Sequence, residues 1–212
     1  DDINKIIKGL PVKRQNLLFS ATMPGKIREL ARKILHEPVE INIAISKPPE
    51  KIVQKAFVVY EPQKLPLIKK ILKETPYKNA LIFCSRKQTV KQLARELKHG
   101  GVNVAEIHSD LEQSERESVL GAFTAGRIPV MVATDILSRG IDIDTIDVVI
   151  NYDVPGDGED YVHRIGRTAR AEADGSAFTS IGEKAHTRFA AIEQLRGNEV
   201  EKVEVPQELG KA

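Results

Sequence analysis

The sequence predicts an α/β protein built on an open, mostly parallel β-sheet that is covered by helices on both faces. Beyond residue 52, short apolar runs alternate regularly with helical stretches, as in strand–helix–strand units. Runs such as Val130-Met131-Val132-Ala133 are apolar throughout, which is typical of strands buried on both faces of a parallel sheet. With 212 residues, 41% of them hydrophobic, the chain can form one large domain or one domain and part of another.

The first 45 residues predict a helix, a strand, a second helix and a second strand. Leu17-Leu18-Phe19 indicates a short buried strand, and apolar residues alternate over 39–43 as in a half-buried strand. Residues 24–36 carry apolar side chains at helical spacing, so we expect a helix with one apolar stripe. A linker is expected at 46–52, where Pro48-Pro49 stands among charged residues.

The rest of the chain predicts a second domain of alternating strands and helices. Open parallel sheets bind ligands beyond the carboxyl ends of their strands, and Ser85, His108, Thr134 and Tyr152 each follow a predicted strand. The acidic tail after Gly197 is interpreted as a solvated end. The predicted strands are 55–60, 80–84, 102–107, 129–134, 147–152 and 176–181, and the predicted helices are 63–74, 86–98, 112–125, 159–166 and 184–196.

Three arginines are clustered in residues 161–170, which read Tyr-Val-His-Arg-Ile-Gly-Arg-Thr-Ala-Arg. Arg164, Arg167 and Arg170 recur every third residue, so at least the first two could share a helix face. Guanidinium is a permanently charged fork of donors that matches phosphate oxygens. The spacing suits a polyphosphate ligand, but it fits a solvated basic helix face equally well.

Neighbouring motifs resemble those of a known enzyme family. Residues 133–142 read Ala-Thr-Asp-Ile-Leu-Ser-Arg-Gly-Ile-Asp, and with His-Arg-Ile-Gly-Arg-Thr-Ala-Arg at 163–170 they are similar to motifs V and VI of bacterial-type DEAD-box ATP-dependent RNA helicases of superfamily 2. Residues 80–85 look like motif IV, Gln113-x-x-Arg116 like motif IVa, and Ser20-Ala21-Thr22 like motif III. The resemblance covers nearly the whole chain and implies a RecA-like fold.

The resemblance also implies a domain organisation. In the family, a P-loop and the Asp-Glu-Ala-Asp tetrapeptide lie on a first RecA-like lobe, upstream of motif III, and neither occurs in this sequence. Residues 1–45 would then be the end of the first, ATP-binding lobe, 46–52 the linker, and 53–212 the second lobe. The chain does not begin with Met, which also favours a fragment. We therefore expect part of an ATP-dependent RNA helicase, an ATP hydrolase, that is inactive alone.

Roles in nucleotide handling follow from the same resemblance. Arg167 and Arg170 would act as arginine fingers on ATP, and Asp142 would accept hydrogen bonds from its ribose. His163, with its neighbour Arg164, would tie motif VI to the surrounding motifs and to the first lobe. ATP and Mg²⁺ would be bound mainly by that missing lobe.

The resemblance further implies an RNA surface. Binding should be to the backbone and largely independent of sequence, because no base-reading element is evident. Ser20 and Thr22 would couple ATP hydrolysis to strand separation. The residues expected to contact RNA are Thr134, Gly140, Gln113, Arg116, Ser109 and Arg86.

Composition limits the function classes. A net charge of +2 provides no bulk basic field, so an RNA surface would depend on local arginines. No apolar run approaches the ~18 residues of a membrane span, so no membrane partner is expected. The single Cys84, in an apolar run, indicates a buried thiol in a reducing, cytoplasmic setting. Asp142, Asp144 and Asp147 lack the remaining features of a calcium loop, so no metal site is expected in this chain.

The expected partners are RNA and the first RecA-like lobe of the same protein. Exposed strand edges and the helix stripe in residues 1–45 also predict a possible dimer of this chain through that segment. Two other functions stay open: a non-catalytic RNA- or partner-binding module, and a lobe of a related superfamily-2 DNA helicase. The sequence upstream of motif III would distinguish them.

Overall fold

A computed structural model of the chain describes residues 2–20, 23, 25–41, 52–135, 146–168 and 174–210. The chain divides into two compact units, Asp1–Ile45 and Ser46–Ala212. The larger unit contains every strand among the described residues.

The smaller unit contains helices α1 (Asp2–Lys8) and α2 (Gly25–Ile34). The prediction that the stripe of α2 faces water is only partly right, because Ala31 is buried and Ile34 is half-buried. An extended segment lies beside this stripe, and its Asn16 Nδ2 donates to Ile34 O over 3.0 Å. Part of the stripe is therefore covered within the unit itself.

The predicted strands at 16–20 and 39–43 are wrong where the structure describes them. Residues 16–20 and 39–41 form no strand, and residues 42 and 43 lie outside the described part. Phe19 is 89% exposed and Ile41 83%. A strand needs a hydrogen-bonded neighbour, and the described residues of this unit provide none.

The larger unit is built on one sheet of seven parallel strands. These are β1 (Ile52–Val58), β2 (Ala80–Phe83), β3 (Val104–Ile107), β4 (Val130–Ala133), β5 (Val148–Asn151), β6 (Gly175–Ile181) and β7 (Glu201–Val203). Their order is β3-β4-β2-β5-β6-β1-β7, and every described pair is parallel. The predicted open parallel sheet is confirmed.

Helices cover both faces of the sheet, as predicted. They are α3 (Glu61–Glu74), α4 (Lys87–His99), α5 (Gln113–Thr124), α6 (Gly158–Ile165) and α7 (His186–Arg196). Successive strand residues point to opposite faces. Ile82 and Val132 therefore share a core with α3 and α4, whereas Phe83 and Met131 pack against Phe123 of α5. Helices α6 and α7 form a third cluster over β1 and β6.

The interpretation of the acidic tail as a solvated end is wrong. β7 adds to the sheet edge beside β1, and Val200 is buried. Glu193 accepts hydrogen bonds from Val200 N at 2.8 Å and Lys202 Nζ at 2.9 Å. Farther along, Leu209 packs against the core, and Gln63 Nε2 donates to the carbonyl of residue 210 at 2.7 Å. The four glutamates of the tail stay exposed, and Glu208 pairs with Lys70, but the valines pack against the larger unit, so the acidic composition hid a strand.

Candidate functional site

Polar residues gather at one edge of the sheet, because parallel strands all end on the same side. Ser85, His108, Thr134 and Tyr152 follow β2, β3, β4 and β5, as the sequence predicted. This carboxyl edge is the first part of the candidate site.

Arg164 on α6 connects two strands at the carboxyl edge. Its Nε and Nη2 donate to the carboxylate oxygens of Asp135 at 2.5 and 2.6 Å. Its Nη1 donates to Asn151 Oδ1 at 3.2 Å and to Asp153 O at 2.9 Å. The guanidinium carbon lies 5.3 Å from the centre of the Phe83 ring. Because the side chain is only 1% exposed, it fixes α6 to the ends of β4 and β5 and is not available to a ligand.

Because Arg164 is buried, it does not belong to the solvated basic helix face that its spacing allowed, and it shares no such face with Arg167. Helix α6 ends at Ile165, and Gly166 N donates to Val162 O at 2.7 Å. A Cβ at Gly166 would lie 2.8 Å from that carbonyl oxygen, so a larger residue would displace the turn. Beyond the helix the backbone continues in a tight turn, in which Arg167 N donates to Arg164 O at 3.2 Å, and Arg167 is half-buried.

The last described residues of motif VI, Arg167 and Thr168, are attached to the chain just before β5. Ile146 N donates to Arg167 O at 3.3 Å, and the buried Thr168 donates through Oγ1 to Asp147 O at 3.3 Å. Thr134, in contrast, follows the carboxyl end of β4. The length of a four-residue strand, about 13 Å, therefore separates the level of Arg167 from that of Thr134. The backbone of Arg167 thus lies at the level of the amino end of β5, whereas Thr134 follows the carboxyl end of β4. His163, half-buried, lies on α6 between them.

The residues of motif IVa lie at the start of α5, as predicted. Arg116 Nη2 donates to Ser109 O at 3.3 Å, and its buried Nε has no partner among the described residues. Gln113 Nε2 donates to Glu117 Oε1 at 2.9 Å, so RNA would have to compete for that amide. Ser109 is exposed. The structure thus brings Ser109 and Arg116 together.

An aspartate that the sequence did not single out joins this loop to α4. Asp110 accepts hydrogen bonds from Lys87 Nζ at 2.7 Å and from Lys91 Nζ at 2.8 Å. These two lysines, Lys87 first, hold the pKa of Asp110 well below its usual range. The loop that carries Ser109 is thereby held against the helix that follows Arg86. No local pattern in the sequence marks Asp110, because Lys87 and Lys91 precede it by 23 and 19 residues. The two lysines lie one helical turn apart on α4, and the fold brings them to Asp110.

Several predicted site residues lie outside the described part of the chain: Thr22, Gly140, Asp142 and Arg170. Ser20 belongs to the smaller unit and is exposed.

The described residues contain no group of three or more His, Cys, Asp or Glu side chains arranged to hold a metal ion. Among them, Arg167 is the predicted nucleotide contact, and its guanidinium fits a phosphate but cannot bind Mg²⁺. Carboxylate or hydroxyl ligands for Mg²⁺ would have to come from elsewhere. None of the described helices is long and apolar enough to span a bilayer.

Comparisons with known proteins agree with the motifs. The family described as "Helicase conserved C-terminal domain" matches residues 63–172. The ATP-dependent RNA helicase CshA of Listeria monocytogenes is 38% identical over 97% of this chain and 40% of its own length. DEAD-box ATP-dependent RNA helicase 14 of Arabidopsis thaliana is 43% identical over 86% of this chain and 30% of its own length.

Solved structures agree as well. S. cerevisiae Dbp5 bound to RNA and ADP BeF3 superposes with a TM-score of 0.82 at 29% identity, covering 94% of this chain and 54% of that chain. The E. coli DEAD-box protein SrmB bound to regulator of ribonuclease activity A gives a TM-score of 0.70 at 31% identity, covering 76% of this chain and 94% of that chain.

A parallel sheet whose motifs V and VI are joined by an arginine–aspartate pair defines a RecA-like helicase lobe. The chain belongs to the DEAD-box RNA helicases, as their conserved C-terminal helicase domain. It spans between 24% and 44% of the length of these and similar curated relatives.

Proposed function

We propose that this chain is the second lobe of an ATP-dependent RNA helicase, together with the end of the first lobe. Residues 53–212 form the second lobe, 46–52 the linker, and 1–45 the end of the ATP-binding lobe with motif III. The proposal rests on the motifs and on the relatives, which are named as ATP-dependent RNA helicases. A DNA-helicase lobe finds no support among them.

The single observation that carries the proposal is the buried pair of Arg164 and Asp135. It joins motif V, at the carboxyl edge, to motif VI, in which the Arg167 carbonyl lies near the amino end of β5. A lobe that senses both RNA and nucleotide needs such a mechanical link, whereas a lobe that only binds RNA does not.

RNA is bound through its backbone at the carboxyl edge. Arg116, held against Ser109 O, keeps guanidinium donors for a phosphate oxygen. Exposed Ser109 adds a hydroxyl and a backbone N–H, and Arg86 adds a second guanidinium next to the loop fixed by Asp110. Gln113, Thr134 and Gly140 complete the surface. These groups contact phosphate and sugar, so binding is largely independent of sequence.

ATP is contacted from the other edge. Arg167 and Arg170 place positive charge against its phosphates, Asp142 accepts from its ribose, and His163 positions this segment. ATP with Mg²⁺, when bound, supplies the phosphoryl bond whose cleavage drives strand separation. Ser20 and Thr22 couple the two processes. The sequence contains neither a P-loop nor Asp-Glu-Ala-Asp, so the 212-residue chain alone hydrolyses no ATP.

Measuring RNA-stimulated ATP hydrolysis by the longer protein that contains this chain tests the proposal. Arg167→Ala should lower turnover by roughly 10³-fold and leave RNA affinity within a few-fold. Arg116→Ala should weaken RNA binding and flatten its salt dependence. Arg95→Ala removes an exposed arginine of α4 that has no part in the proposed roles and is the matched control.

If both test variants give the same phenotype, the division of roles is wrong. If the protein binds RNA without RNA-stimulated turnover, the non-catalytic binding module replaces the helicase.

A further inference from the structure

The sheet has a topological switch point between β2 and β5. These strands are neighbours, but the connection after β2 leads towards β3, whereas the one after β5 leads to β6 on the other side. Helices α4 and α6 therefore leave the carboxyl edge on opposite faces. In open parallel sheets, the crevice formed at such a point is where ligands bind.

A cavity of about 530 Å³ occupies this crevice. We call it the switch-point pocket and define it by Ser85, Arg86, Thr89, Asp153, Lys184 and Arg188. Its walls come from the starts of α3 and α4, from the residues after β5, and from the end of β6 with the start of α7. Its volume is in the range of small-molecule sites.

Unpaired positive charge lines the pocket. The side chains of Arg86, Lys184 and Arg188 are exposed, and within the described part of the chain no ion pair or hydrogen bond engages them. Lys64 Nζ lies 2.9 Å from Glu61 and 3.2 Å from Asp153, so its one positive charge offsets part of the two negative charges there.

The lining holds four cations, these three and Lys64, against three carboxylates, Glu61, Asp153 and Glu183, which leaves an excess of one positive charge. Ser85 and Thr89 also line the pocket, and their hydroxyls can donate hydrogen bonds. Two guanidinium forks, an ammonium and two hydroxyls form a donor set that matches a phosphate group.

We propose that the switch-point pocket binds a phosphate group. The group belongs either to an RNA backbone or to a free phosphate compound, and both present the same oxygens. The pocket shares Arg86 with the proposed RNA surface, whereas Lys184 and Arg188 have no part in the proposed function. An experiment can therefore show that the pocket binds no phosphate while the proposed function holds. It can equally show that the pocket binds phosphate while the proposed function is wrong.

Titrating the ¹⁵N-labelled chain with inorganic pyrophosphate at constant ionic strength tests this site. We expect saturable shifts of the backbone amide signals of Ser85 and Gly182, which line the pocket. The double variant Lys184→Ala/Arg188→Ala should bind roughly tenfold more weakly. Arg95→Ala/Lys98→Ala removes the same charge from exposed positions on α4 and should stay within about twofold of the parent chain.

The proposal is overturned if these amides do not shift at millimolar pyrophosphate, or if both double variants lose affinity equally. Lys184→Glu provides a second variant, in which affinity should fall further than on removal of that charge alone. Adding single-stranded RNA then identifies the source of the phosphate. Competition with pyrophosphate shows that an RNA backbone enters the pocket, whereas competition by a nucleoside monophosphate but not by RNA shows a free ligand.

Discussion

Replacing Asp135 by Asn removes the counter-charge of a buried arginine at almost constant volume. Arg164 cannot lose its proton, and its side chain is 1% exposed, so the variant leaves a cation without its anion. The Asn carbonyl can still accept one hydrogen bond, but its NH₂ group faces guanidinium donors. We expect the fold to persist and its stability to fall.

The expected loss in the free energy of unfolding can be worked out from how deeply the Arg164–Asp135 pair is buried. Breaking a fully buried ion pair costs about 3–5 kcal/mol. The Asp135 side chain is 31% exposed, so water screens part of the interaction, and one hydrogen bond survives. We therefore expect about 2–3 kcal/mol, which for a domain of this size lowers the melting temperature by roughly 5–10 °C.

Urea unfolding followed by far-ultraviolet circular dichroism measures the change, since the chain contains no Trp. Lys87→Met, which breaks an ion pair at the surface, is the control and should leave the midpoint nearly unchanged. If Asp135→Asn shifts the midpoint no more than Lys87→Met, the pair does not hold α6 to the sheet.

Two further predictions concern the thiol and the smaller unit. Cys84 has no exposed surface, and burial raises the pKa of its thiol well above the ordinary value. We expect it to react with a thiol reagent at pH 8 at least about 100-fold more slowly in the folded chain than in denaturant, and equal rates would contradict this. The dimer through residues 1–45 stays a prediction, motivated by exposed apolar side chains such as Phe19 and Val39. We expect residues 1–45 either to pack against the second lobe of their own chain or to form a dimer, which light scattering would detect for the chain but not for a version beginning at Glu50. The idea fails if both versions are monomers and residues 1–45 exchange amide hydrogens as fast as a disordered peptide.

The larger sheet could be predicted from sequence because its signal is local. Runs such as Leu81-Ile82-Phe83 are buried on both faces, and each is followed by a helix with one apolar stripe. β7 was missed because it is only three residues long, Glu201–Val203, and its two charged residues are exposed, so it carries no apolar run. The strand predicted at 16–20 is wrong although its central residues are apolar. No strand among the described residues lies beside it to form backbone hydrogen bonds.

The motif residues could be found from the sequence, but the different surroundings of Arg164 and Arg167 could not. Arginines at a spacing of three suggested one surface, yet Arg164 is buried and Arg167 lies beyond the end of the helix. What separates them is a carboxylate 29 residues away, Asp135, together with the close approach of Val162 O to Gly166. Neither contact leaves a periodic signal in the sequence.

The position of α6 offers a connection between the two ligand contacts proposed for this lobe. Its eight residues span about 12 Å, close to the length of a four-residue strand. Helical side chains lean towards the amino terminus, so Arg164, in the last turn, reaches back to the carboxyl edge while the chain continues to Arg167 at the amino edge. If Arg167 contacts ATP as proposed, we expect its displacement to move α6 or to strain the pair with Asp135. Asp135 directly follows Thr134, so we expect strain in this pair to shift Thr134, which belongs to the proposed RNA surface. Asp135→Asn should then uncouple RNA binding from ATP turnover in the longer protein even where each persists separately.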